Sequence, residues 1–111
     1  MTEEEKIEEE KIEEEEKFTV EMLPEILSDH DDEKYHIEIG LPGVKKENIE
    51  LIMGGNHFCL KASKSDITYS ACYALAHIID ASKATSKFDN GELVIIAPFV
   101  HPLKGIKITV E

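Results

Sequence analysis

The chain has 111 residues, with 24 Asp or Glu against 12 basic residues and a formal net charge of −12. All twelve bases are Lys, and no basic excess occurs anywhere, which argues against a nucleic-acid groove with its Arg forks and positive surface. No apolar run approaches the ~18 residues of a membrane span, and the acidic N-terminus lacks the apolar core of a signal peptide. The expectation is therefore a cytoplasmic protein without membrane or nucleic-acid partners, in which Cys59 and Cys72 remain thiols.

The charge divides the chain. Residues 1–34 hold sixteen acids against four Lys, whereas residues 35–111 hold eight of each. This reads as an acidic arm over 1–34 followed by a small domain. A domain of that size buries only about 60% of its unfolded surface, so pairing with a second copy helps it. Residues 3–18 repeat Glu-Glu-Glu-Lys-Ile with a period of five. At ~100° per residue this period spreads Ile7, Ile12 and Phe18 without a continuous apolar stripe, and the Glu side chains repel one another. The arm is thus expected to be solvated and largely unstructured. Phe18–Leu27 is the first apolar patch; Pro24 divides it and argues against a long helix, leaving an edge strand or a short docking segment. Residues 28–34 read as a polar loop.

Tyr35, Ile37, Ile39 and Leu41 alternate with polar residues, the pattern of a half-buried strand. Leu41-Pro42-Gly43-Val44 breaks it, and residues 45–48 read as a single helical turn. Ile49–Met53 forms a second strand and His57–Ala62 a third, joined by a turn at Gly54-Gly55-Asn56. Phe58, Leu60 and Ala62 point inward; His57, Cys59 and Lys61 point outward. Residues 63–70 look like a polar loop. Residues 71–84 fit a helix on Ala and Leu content and a strand on alternation, and the strand is preferred. Asn90-Gly91 then marks a tight hairpin, because both residues tolerate positive φ. Leu93–Ala97 is an apolar, β-branched run that reads as a strand covered on both faces, ended by Pro98. The chain closes on Gly105-Ile106-Lys107-Ile108-Thr109-Val110.

Four of these landmarks fall in a familiar order: Leu-Pro-Gly-Val at 41–44, Lys-Glu-Asn-Ile at 46–49, Gly-Asn at 55–56, and Asn-Gly-Glu-Leu at 90–93 leading to Pro98. Together they resemble the alpha-crystallin domain of small heat-shock proteins. The resemblance implies an all-β, immunoglobulin-like antiparallel β-sandwich over residues 35–102, with 103–111 as a last strand or an Ile-x-Ile tail. It implies an ATP-independent chaperone that binds partly unfolded client proteins through apolar strand edges and grooves. Ile106 and Ile108 would be the tail-docking residues, filling pockets by strand addition. The groove would lie between the strands at 49–53 and 84–88, with Leu51, Met53 and Thr85 as its residues.

The chain departs from that pattern in four places. The arm is Glu and Lys rather than aromatic and aliphatic. The stretch 63–70 is too short for the long loop that swaps a strand between partners. Ser86, Glu92 and Asn48 replace the motif's Ala, Val and Asp. The far side of the groove, at Lys83, Thr85 and Lys87, is polar. Self-association is therefore expected to stop at a dimer or weak oligomer. The short loop also resembles the related CS-domain co-chaperones, so an adaptor binding one folded partner is the alternative function.

No nucleophile elbow, P-loop or paired-carboxylate motif occurs, and the reading is not an enzyme. His57 and Cys59 share a strand face, but no second ligand pair stands beside them in the sequence; no metal or cofactor is expected.

Overall fold

Alternating side chains become strands in the computed structural model of the protein, which describes residues 19–111. The Glu-Lys repeat expected to form the outer part of the arm lies outside the described residues. Eight strands follow in chain order: β1 Val20–Met22, β2 Glu25–His30, β3 Lys34–Gly40, β4 Ile49–Gly54, β5 His57–Lys64, β6 Ile67–Ala74, β7 Thr85–Asp89 and β8 Glu92–Pro98. They form two four-stranded sheets, in the orders β1-β6-β5-β4 and β2-β3-β8-β7. All pairings are antiparallel except β1 with β6. The fold is the all-β sandwich expected from the motifs.

The core fills the space between the sheets. Ile37, Ile39 and Leu41 enter from β3 and the loop after it, Phe58 and Leu60 from β5, and Ile95 and Ala97 from β8, all nearly or completely buried. Each large apolar side chain removed from water contributes roughly 1.5–3 kcal/mol. The central pairing joins distant sequence: Ile37 lies opposite Ile95, and Ile39 opposite Leu93. Val94 and Ile96, on the other face of β8, are only half-buried. The apolar run reads as covered on both faces, but among the described residues no second layer lies over that side.

Turns fix the registers. Asn90 and Gly91 both have positive φ, as the hairpin between β7 and β8 requires. The Leu41 N–H donates to the Gly91 carbonyl at 2.7 Å, and a Cβ on Gly91 would stand 3.3 Å from Pro42 Cα. The two corners are thus locked together. Between β2 and β3, an Asp31 carboxylate oxygen accepts the N–H groups of Glu33 and Lys34 at 2.7 and 2.9 Å. These donors, the Glu33 N–H foremost, hold the Asp31 carboxyl below its ordinary value.

Several local expectations need correction. Residues 28–30 are not loop; they extend β2, because they pair with Tyr35, His36 and Ile37 of β3. The 19–34 part of the acidic arm thus supplies two strands to the sandwich. Residues 63–70 do not form a loop either. β5 runs to Lys64 and β6 starts at Ile67, with Ser65 at positive φ in a two-residue turn. The 71–84 stretch is strand only to Ala74. Beyond it the N–H groups of Leu75 and Ile79 donate to the carbonyls of Asn56 and Gly55, tying the crossover to the β4–β5 turn. A 3-10 turn, Ala81–Lys83, then leads into β7.

The cysteines also differ from expectation. The hairpin register places Cys59 directly opposite Cys72 on the outer face, with Cα atoms 4.1 Å apart, and they form a disulfide. Residues 105–110 form no strand; the last backbone anchor is the Leu103 N–H on the Asp32 carbonyl at 2.7 Å.

Candidate functional site

The two sheets end in edge strands on the same side: β4 closes one sheet and β7 the other. Alternation along β4 turns Leu51 and Met53 toward the interior, where both remain half-buried because no described strand lies beyond them. Across from them stand Ala84 and Thr85 at the start of β7, with Ala81 of the 3-10 turn at one end and buried Ile95 beneath. Together with Ser86 these residues line a cleft of about 190 Å³. Its floor and β4 wall are apolar, whereas its β7 rim carries the hydroxyls of Thr85 and Ser86.

Of the residues singled out in the sequence, Leu51, Met53 and Thr85 therefore meet in one cleft. Ile106 and Ile108 do not join them. They lie on the extended tail, 85% and 76% exposed. Lys83 and Lys87, expected on the polar far side, do not line the cleft. Lys87 instead borders a larger, shallow depression of about 530 Å³ on the outer face of β7 and β8, with Asp89, Glu92, Val94 and Ile96. Val94 and Ile96 give it an apolar base, and Lys87, Asp89 and Glu92 a charged margin.

Four contributors to the cleft were not singled out in the sequence: Ala81, Ala84, Ser86 and Ile95. Small residues at 81 and 84 carry no signal by themselves. Their placement depends on the 3-10 turn, which Asp80 holds. Its carboxylate accepts from the Ser82 hydroxyl at 2.5 Å and the Ser82 N–H at 3.1 Å. The Ser82 hydroxyl is the main cause of an Asp80 carboxyl held below its ordinary value. Lys83 adds a marginal ion pair at 4.0 Å, exposed and weak.

At one end of the sandwich, His30, Tyr35, His77 and Phe99 gather from well-separated parts of the sequence. The His30 and His77 rings meet edge to face at 5.0 Å, and the His77 N–H donates to the Tyr35 hydroxyl oxygen at 3.0 Å. Among the described residues, no group of three or more His, Cys, Asp or Glu is placed to hold a metal ion. Cys59, considered with His57, is engaged in the disulfide. Among the described residues no helix is long and apolar enough to cross a membrane.

No family model matches the sequence. Over 37 residues, 33% of this chain, it is 49% identical to the 18 kDa heat shock protein of Clostridium acetobutylicum; the match spans 24% of that relative's length. Among solved structures, the chain is similar to heat shock protein 16.0 from Schizosaccharomyces pombe, with a TM-score of 0.67 at 19% identity, covering 81% of this chain and 99% of that one. A small heat-shock protein from Xylella fastidiosa gives 0.64 at 18%, covering 83% and 99%. A point mutant of hsp14.1 from Sulfolobus solfatataricus P2 gives 0.65 at 16%, covering 99% and 98%. The resemblance to small heat-shock proteins read from the motifs thus holds in the fold and in a short stretch of sequence.

Proposed function

We propose that this chain, with the sandwich of the small heat-shock proteins, is an ATP-independent chaperone of the cytoplasm that holds partly unfolded clients. One observation carries the reading: an apolar-floored cleft lies between two free strand edges, β4 and β7, and nothing in the described chain fills it. An unfolding client exposes extended apolar segments. Such a segment can add to a free edge through backbone hydrogen bonds and place alternate side chains against Leu51, Met53 and Ile95. Binding by strand addition needs no nucleotide and releases the client by dissociation alone.

The same cleft suits Ile106 and Ile108 of a second copy. Burial of two isoleucines contributes roughly 3–6 kcal/mol in all, against an association cost of about 4–15 kcal/mol. Tail docking by itself therefore supports only a dimer or weak oligomer, and clients compete with tails for the same edges.

The test is light scattering of several unrelated aggregating proteins with and without the full chain. A chaperone suppresses scattering of most of them, and Leu51→Ser with Met53→Ser weakens the effect. The reading fails if no client is protected at severalfold excess. The second reading, an adaptor for one folded partner, rests on the two-residue β5–β6 turn, which leaves no loop to exchange between copies. It gains if every client aggregates unprotected while one folded protein binds with fixed stoichiometry.

A further inference from the structure

Away from the cleft, the outer face of the β1-β6-β5-β4 sheet carries a reactive bond, the Cys59–Cys72 disulfide. Its two ends are not equivalent. Cys59 is half-buried and Cys72 is exposed. Cys59 has a cross-strand neighbour on β4, Ile52, whose side chain stands on the same outer face, 66% exposed. Among the described residues, Cys72 has no such neighbour on its far side. The strand beyond β6 is β1, which ends at Met22 opposite Tyr69, so β6 is unpaired there from Ser70 onward.

Thiol–disulfide exchange proceeds by attack of a thiolate on one sulfur, in line with the bond to the other, and its rate depends on access to that sulfur. For cysteines facing each other across adjacent strands, the line of attack runs across the sheet. Approach to the Cys59 sulfur comes over β4 and meets Ile52. Approach to the Cys72 sulfur comes over the open margin of β6.

We infer that Cys59–Cys72 is a thiol-exchange site for small aliphatic thiols, with Cys72 the sulfur attacked and Cys59 the leaving and resolving thiolate. The incoming thiolate forms a bond to Cys72 Sγ as the Cys59–Cys72 bond breaks, and the electron pair leaves on Cys59 Sγ. From the mixed disulfide, Cys59 can return and expel the thiolate. Alternatively a second thiolate attacks the adduct's outer sulfur, giving the oxidised thiol dimer and a Cys72 thiolate. Two small thiols then supply the two electrons that reduce the bond. The fold tolerates this cycle. β5 and β6 stay paired over eight positions, and Phe58, Leu60, Ala62 and Tyr69 pack on the face opposite the disulfide. The site is independent of the chaperone reading.

The experiment uses the full chain, oxidised with glutathione disulfide and then mixed with reduced glutathione. Samples are trapped with iodoacetamide and mapped by peptide mass. The expected product carries glutathione on Cys72 and the alkyl group on Cys59, in at least about tenfold excess over the reverse arrangement. Ile52→Ala, at an exposed position that leaves folding intact, narrows that ratio by opening the approach to Cys59. Far-UV circular dichroism of the fully reduced chain keeps its strand spectrum. The inference is overturned by glutathione mainly on Cys59, by a ratio indifferent to Ile52→Ala, or by a bond that exchanges only in denaturant. A chain that stays a dithiol in glutathione disulfide overturns it equally.

Discussion

The two lateral sides of the sandwich are built differently. On one side β1 and β2 belong to different sheets yet are joined by only Leu23 and Pro24, so the chain itself stitches the sheets together, and Pro24 is buried there. On the other side β4 and β7 face each other without a connection, and the space between them stays open. The same two sheets thus give one closed and one receptive margin. The difference comes from where the chain crosses, because the apolar character of the strands is similar on both sides. Free edges invite pairing with other chains, and on the side that carries the cleft two of them, β4 and β7, stand across from each other.

The comparison can be broken or sharpened by mutation. Ile95→Ala removes a completely buried side chain from beneath the cleft and is expected to cost about 2–5 kcal/mol in denaturant unfolding. A smaller effect is expected on the closed side. Starting the chain at Glu25 rather than at Thr19 removes β1 and its three paired positions, and should cost roughly 1–3 kcal/mol when the two shortened proteins are melted side by side. Equal melting of the two would mean that β1 does not help to close that side.

Smaller still is the effect of Leu51→Ala on the open side, about 1–2 kcal/mol because the residue is only half-buried, with a larger loss of client protection than of stability. The double change Ile106→Ala and Ile108→Ala should leave melting unchanged to within ~0.5 kcal/mol, since both side chains are exposed, and should reduce self-association measured by sizing. The least change comes from pH. Asp31 and Asp80 have carboxyls held below their ordinary values, so each contributes stability above about pH 4 that is lost as pH falls through the lowered value. Asp31 is exposed and Asp80 only half-buried, so the effect is slight. Asp31→Asn should flatten part of the acid limb of the melting curve, and an unaltered limb would discount the carboxylate's role in the turn.

Much of this architecture was legible because it rests on local signals. Asn90-Gly91 announced its hairpin, and the alternation in 35–41 and 57–62 gave the core faces without error. The misses have two causes, pairing with a neighbouring strand and a weak turn signal. Residues 28–30 are polar and become strand only because β3 lies beside them. Ser65-Asp66 is a weak turn signal, so the hairpin it closes went unseen, and with it the register that brings Cys59 to Cys72. In the cleft, Leu51 and Met53 were readable from strand alternation plus the resemblance. Ala81 and Ala84 were not, because a small side chain has no pattern of its own and acquires a place only from the turn that Asp80 caps.

The central pairing of β3 with β8 has a consequence for synthesis. Ile37 waits for Ile95, and Ile39 for Leu93, across more than fifty residues of intervening chain. At ~5–20 residues per second a ribosome needs about 3–12 s to make that stretch. During this interval β3 has β2 as a neighbour on one side and nothing on the other, with Tyr35, Ile37 and Ile39 unburied. Folding dominated by such distant contacts is also slow once the chain is complete, on the scale of milliseconds to seconds. Each newly made copy therefore passes through a period as an extended apolar strand with a vacant edge, the kind of segment proposed above to occupy the cleft.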